Sequence, residues 1–502
     1  MNILRFAVIT AFFTVLPFSH ISASAASDQE IEALKKEIQV MKSEYENRIL
    51  KMEQKLTEME TEASQPKTTY SKSTKKASSG RAIYNSDLNP SIGAILGGRF
   101  AAFSSDEGEI PGFVLGHEGE RGAEGISLGE TELNISTSVD DKFYGHITTA
   151  LADHGDGVEI ELEEAYVETL PGSGLPTGAT IKMGRAFWTL GSMNEHHAHG
   201  DDFADRPLPY RVFLDKSFND TGAEISYVFP TDFYLEAGGG VFRGDDFPFA
   251  GADGSDINSF SAFMRVGGDI GGNSSWRIGG YLLDGEASGR GGGHGHGHDD
   301  DHGHDDDHED GDEHAGENGH DDHDHDDHHA DENGHDEEHD EHGHDDDHGE
   351  NLEEFFSAGM FTGDTRLYAI DFRYVWAPTG NNRQKEVLLQ GEYFWRDEEG
   401  VYTLEEETET LDGGSSGWYA QGVFKFSPKW RIGARYSQLY SPEDSGIDHD
   451  PYTVAVMGDW SNSEFSRIRL QYNYEKLGDD LSDNQFLVQY IMSVGAHAAH
   501  KY

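Results

Sequence analysis

The chain has 502 residues, no cysteine, 95 Asp plus Glu and 37 Lys plus Arg, for a formal charge of −58. This excludes a disulfide framework and thiolate metal sites, and so negative a balance excludes a nucleic-acid partner, which needs basic surface. Only 35% of residues are hydrophobic, yet 11% are aromatic and 61 are glycine, which suits many short strands better than one large dry core.

At the N-terminus Arg5 precedes an apolar run from Phe6 to Phe18, followed by Ser-Ala-Ser-Ala with Ala23 and Ala25 at the small positions of a cleavage site. The run is too short to span a bilayer, which takes about 20 apolar residues, so residues 1–25 are expected to be a secretory signal peptide. Residues 28–62 follow as a helix, with apolar positions at Ile31, Leu34, Ile38, Met41, Tyr45, Ile49, Met52, Leu56 and Met59. Their spacing is a heptad seam with one four-residue insertion. Nothing else in the segment can bury that seam, so a homo-oligomeric periplasmic coiled coil, most simply a homotrimer, is expected. Residues 63–89 are rich in Ser and Thr, carry Lys67, Lys72, Lys75, Lys76 and Arg81, and show no periodicity. They read as a flexible basic linker.

From residue 90 to Tyr502 period-two alternation dominates. Phe486, Val488, Tyr490, Met492 and Val494 share one face of a strand whose other face carries Gln485, Leu487, Gln489 and Ile491. Similar apolar faces are Tyr368, Ile370, Phe372, Tyr374 and Trp376; Val387, Leu389, Tyr393 and Trp395; and Ile468, Leu470, Tyr472 and Tyr474. These strands are about twice the length usual in a soluble sandwich and long enough to cross a membrane at a tilt. Sixteen are predicted: 91–103, 126–139, 142–151, 158–169, 178–189, 221–229, 232–243, 257–268, 274–285, 365–377, 385–396, 417–427, 429–440, 452–460, 464–475 and 484–502. Every second connection is short, while the long ones (104–125, 190–220, 286–364 and 397–416) fall on the other side. That asymmetry marks an all-β transmembrane barrel of the bacterial outer membrane, in contact with lipid, with short periplasmic turns and long outer loops. Sixteen strands leave room for a water-filled channel.

Two segments carry chemistry. Residues 291–350 hold 17 of the 27 histidines and 27 acids, with no Lys or Arg. His294, His296, His298, His302, His304 and His308 open this tract; His323, His325, His328 and His329 stand in its middle; His342, His344 and His348 close it. Imidazole with carboxylate suits borderline divalent metals, zinc above all. The tract cannot build a packed core, and is expected to be a disordered extracellular loop with many weak sites. The second segment, NEHHAHGDDFADRPLPYR, lies in the third outer connection and offers Glu195, His196, His197, His199, Asp201 and Asp202 as ligands. His196 with His199, or His197 with Asp201, is a candidate pair; the alternative is a structural turn pinned by Pro207 and Pro209. On later strands Arg265, Arg373, Arg431, Arg435, Arg467 and Arg469 fall at inward, pore-lining positions, and arginine rings also suit anions.

At these residues the sequence resembles a bacterial family, the zinc-regulated outer-membrane receptors. The resemblance is carried by GISLGETELNIS, LGSMNEHHAHGDDFADRPLPYRVFL, PTDFYLEAGG and VGGDIGGNSSWRIG, within residues 88–380. It implies zinc uptake. The family is often described as TonB-dependent, but such receptors use 22 strands and a plug, which do not fit between Ser91 and Tyr502. The expected function is a porin-like channel that captures and admits divalent ions, with zinc as cargo. The alternatives are a surface metal buffer or adhesin anchored by a barrel, and a general or anion porin. No nucleophile–base constellation stands out, so no enzymatic activity is expected.

Overall fold

The computed structural model describes residues 90–153, 158–249, 257–291, 352–404, 407–442, 447, 449–479 and 481–495. The expected signal peptide, coiled coil and linker, nearly all of the His/Asp tract, and residues 496–502 lie outside the described residues. Those described belong to the compact unit spanning residues 80–502.

The strands are β1 (Ser91–Ala102), β2 (Gly125–Leu128), β3 (Thr131–Ser138), β4 (Phe143–Asp153), β5 (Val158–Thr169), β6 (Ala179–Phe187), β7 (Asn219–Val228), β8 (Tyr234–Phe242) and β9 (Ser259–Asp269). The second half comprises β10 (Ser274–Arg290), β11 (Met360–Trp376), β12 (Glu386–Leu404), β13 (Glu407–Ser427), β14 (Trp430–Tyr440), β15 (Tyr452–Ser463), β16 (Ser466–Lys476) and β17 (Ser482–Gly495). β2 and β3 both pair with β1 and are two halves of one stave, so the ring has sixteen. Each stave pairs antiparallel with its sequence neighbours, and β1 pairs with β17 from Gly93↔Gly495 to Ala102↔Phe486. The barrel is therefore closed and leaves no edge strand.

Alternation sorts the two faces as the sequence requires. Leu96, Leu133, Met264, Ile370, Val456 and Leu470 stand exposed on the outer surface, while Asn134, Gln390, Gln421, Asn473, Gln485 and Gln489 are buried inside. Such an apolar exterior around a polar interior is what a barrel in lipid needs. Aromatics gather in two belts: Trp430 against Trp460 near the short turns, and Trp418, Tyr436, Tyr452 and Tyr474 in successive contact toward the other end.

One expectation is corrected. Residues 397–416 do not form a long loop; β12 and β13 run on as a paired hairpin from Glu386↔Lys425 to Leu404↔Glu407. The long connection after β10 is likewise shortened, because β10 extends to Arg290, β11 starts at Met360, and a helix, α2 (Leu352–Ala358), precedes it. The reason is physical. Above the lipid the outer face no longer has to be apolar, so hydropathic alternation fades while the hydrogen-bonded ladder continues.

The core lies inside the barrel, where the third connection folds inward. Its short helix α1 (Leu208–Leu214) has every residue buried. Proline suits the first helical turn because its missing N–H would find no partner there, and here Pro207 caps and Pro209 follows; Asp215, at φ 47°, ends the helix in the left-handed region. Leu208, Val212, Phe213 and Leu214 each gain about 1.5–3 kcal/mol by burial, and pack with Trp188, Phe218, Phe394 and Leu439 of the loop ends and wall. Phe113 and Leu115, from the first long connection, join this cluster.

Candidate functional site

The inward loop starts where β6 ends. Asn194 closes its two ends together: its side-chain amide donates to the Trp188 and Phe218 carbonyls at 2.8 and 2.9 Å, and the Phe218 N–H donates back at 2.6 Å. Arg206 ties the histidine segment together. It donates to the Asp201 carboxylate at 2.9 Å, to the His196 carbonyl at 2.6 Å and to the Met193 carbonyl at 3.2 Å. A single turn of 3-10 helix at Ala198–Gly200 brings the His197 and His199 rings into a stack with centroids 5.6 Å apart.

Those two rings face a group of carboxylates on the wall. His197 Nε2 donates to Glu164 at 2.9 Å, and its Nδ1 lies 3.3 Å from Glu163 and 3.4 Å from Glu132. His199 Nδ1 donates to Glu132 at 2.7 Å and lies 3.5 Å from Glu130. His146, on β4, reaches Glu164 at 3.3 Å. One oxygen each of Glu130, Glu132 and Glu163 and one His197 nitrogen all lie within 4.8 Å of one another.

Both carboxylate pairs depend on bulges. Along β4–β5 the register passes from Thr148↔Glu164 to Thr149↔Leu162, so Glu163 is an extra residue. Its insertion reverses which residues point out: Ile160 and Leu162 are exposed before it, Val167 after it. Two consecutive side chains, Glu163 and Glu164, can then meet the same imidazole. A second extra residue sits between β2 and β3, since Gly98↔Leu128 gives way to Ile95↔Glu132. Glu130 and Glu132 both turn inward there. A Cβ at Gly97 would collide with the Glu130 carbonyl oxygen, so the bulge requires glycine opposite it.

The remaining ligands expected from the sequence go elsewhere. Glu195 pairs with Arg265, Asp201 with Arg206, and Asp202 with Arg431 at 2.7 Å. His196 turns to a cationic side of the lumen. Burial, then the charges of Arg373, Arg206 and Arg277, hold its pKa at about 4 against the pull of Glu195. Burial also opposes protonation of His197 and His199. There the glutamates prevail: Glu132 first, with Glu163 and Glu164, raises His197 well above the usual histidine range, and Glu130 with Glu132 raises His199 to about 10. Neither expected pair, His196 with His199 or His197 with Asp201, is therefore assembled. Glu130, Glu132, Glu163 and Glu164 escaped the sequence reading. The signal available was an excess of acids on strands otherwise alternating, GETE and EIELEE.

Most of the arginines expected to line the pore anchor the loop. Arg431 meets Asp202 and Asp459, Arg435 meets Asp205 at 2.6 Å, Arg467 donates to the His199 carbonyl at 2.5 Å, and Arg469 donates to the Asp201 carbonyl at 2.6 Å. Arg373 is half-buried. A cavity of about 1290 Å³ adjoins the site. Its lining includes Glu130, Glu163, Asp201 and Asp205, together with Arg99, Arg206 and Arg211, and it extends to Ser357 and Ala358 at the end of α2.

An uncharacterised protein of Aquifex aeolicus (strain VF5) is 26% identical over 421 residues, covering 78% of this chain and 75% of that one. No family model matches the chain. Among solved structures, DcaP, an outer-membrane channel of Acinetobacter baumannii, aligns over 81% of this chain and 97% of its own at 9% identity and a TM-score of 0.46. A loop-deletion mutant of OmpT, an outer-membrane protein of Vibrio cholerae, aligns over 81% and 99% at 12% identity and 0.44. An anion-selective porin from Comamonas acidovorans does so over 81% and 99% at 10% identity and 0.44. The fold rests on the strand pairing described above.

Proposed function

We propose that this chain is an outer-membrane, porin-like channel that captures divalent metal ions, zinc foremost, and admits them through the barrel. The observation that carries the reading is the cavity: its lining runs from α2, the root of the His/Asp tract, to Glu130 and Glu163 beside the inward loop. Ions gathered by residues 291–350 would enter the barrel next to that root and meet the acidic side of the constriction. The signal peptide at 1–25 supplies export, and the seam from Ile31 to Met59 assembles protomers, as a trimer, in the periplasm. The anion-porin alternative is weakened by the arginines, most of which already hold carboxylates or loop carbonyls.

The test is single-channel recording of the full-length protein in planar bilayers, with and without zinc chloride. Conductance steps that zinc blocks reversibly are expected. Steps indifferent to zinc would favour the general porin. No steps at all would leave a barrel-anchored metal buffer or adhesin.

A further inference from the structure

We propose that Glu130, Glu132 and Glu163, with Nδ1 of His197, form a binding station for one borderline divalent ion of the zinc class. This deepens the channel reading by naming where its cargo pauses. Three observations converge. The four donor atoms already lie within 4.8 Å of one another, and zinc bonds to carboxylate and imidazole are about 2.0–2.2 Å, so small side-chain rotations suffice. Glu132 is 2% exposed, one of its oxygens accepts a hydrogen bond from His199, and the other accepts none among the described residues. Finally, no Lys or Arg forms an ion pair with Glu130, Glu132, Glu163 or Glu164 among the described residues; only imidazoles do. Four carboxylates facing three imidazoles, in a barrel interior, are a charge excess that a dication relieves and burial otherwise penalises.

The surroundings are those of a metal ligand's support. The ion takes the place of the proton on Nδ1, which faces Glu132 and Glu163, since a ligating imidazole nitrogen must be deprotonated; His197 keeps Nε2–H on Glu164 at 2.9 Å, and Glu164 is in turn within 3.3 Å of His146. A carboxylate behind a ligating histidine fixes its tautomer and raises its basicity. The imidazole selects against magnesium and calcium, which prefer oxygen alone, and the absence of sulfur selects against copper(I).

Crystals of the full chain soaked in zinc chloride should show an anomalous peak at the zinc edge, bonded to Glu132 and His197. Its absence there, or peaks only at other surfaces, would overturn the site. In recordings, Glu163→Gln should raise the zinc concentration for half-block at least ~10-fold and Glu164→Gln by about 10-fold, the range for lost support behind a ligand. Two positions guard against misfolding, and only variants that still give conductance steps are compared. Block unchanged in both would overturn the station while leaving the channel standing. A zinc peak in a protein that never conducts would do the reverse.

Discussion

The inward loop carries three histidines within four residues, and its two sides treat them oppositely. His197 and His199 turn to glutamates on β3 and β5 and the bulge between β2 and β3, and are held well above the ordinary histidine pKa. His196 turns toward Arg277 and Arg373 and is held at about 4. The residue type is the same and the backbone continuous; only the facing wall differs. A histidine-rich motif therefore names a chemistry, while the wall decides which of its members can exercise it.

The largest effect should come from removing the tie common to both sides. Arg206→Ala would leave Asp201 buried without its partner, and the His196 and Met193 carbonyls without their donor. Breaking a buried pair from one side costs about 3–5 kcal/mol. Urea unfolding in lipid vesicles should show a loss of that order; a loss below ~1 kcal/mol would mean the loop is held by the barrel arginines alone.

Next, the two sides should separate in metal response. His197→Ala should weaken zinc block at least ~10-fold, whereas His196→Ala should change it less than ~2-fold. Equal effects on half-block concentration would erase the distinction between the sides.

The cationic side has its own signature. Glu195→Gln would remove the nearer carboxylate partner of Arg265, with Glu236 remaining at 3.9 Å, making the lumen more positive by one charge. In a potassium chloride gradient the reversal potential should move toward the chloride value, by a few millivolts on the order of one added charge among many. Movement toward the potassium value would contradict the pairing.

The smallest effect concerns Asp215, beyond both sides at the end of α1. Burial and the Glu118 charge raise its carboxyl to about 7, against Lys216 and the N–H groups of Gly119 and Glu118. The folded protein prefers the neutral acid, whose unfolded pKa is about 3.9. Stability from this group is thus greatest below pH ~4 and declines as pH rises toward about 7. Asp215→Asn, neutral throughout and tolerant of the left-handed backbone, should gain on the wild type across that window and level off once the pH passes about 7. Parallel pH profiles in urea titrations would refute this.

The sequence by itself determined the barrel. Period-two alternation, one apolar face per strand and the asymmetry of connections identified all sixteen staves, because lipid imposes an apolar exterior that any single strand must show. Where that constraint lapses, at 397–416, the same reasoning failed and pairing alone extended β12 and β13. It also located the histidine segment that the structure folds inward. Only the tertiary structure decided which histidines meet carboxylates. Glu130, Glu132, Glu163 and Glu164 lie some thirty to seventy residues before the loop, and two bulges overturn the alternation that would assign their direction. An inserted residue leaves only a faint mark in the sequence, a run of acids and a shift of apolar phase from Leu162 to Val167; its position is fixed by the register between paired strands, and here that register brings wall and loop together.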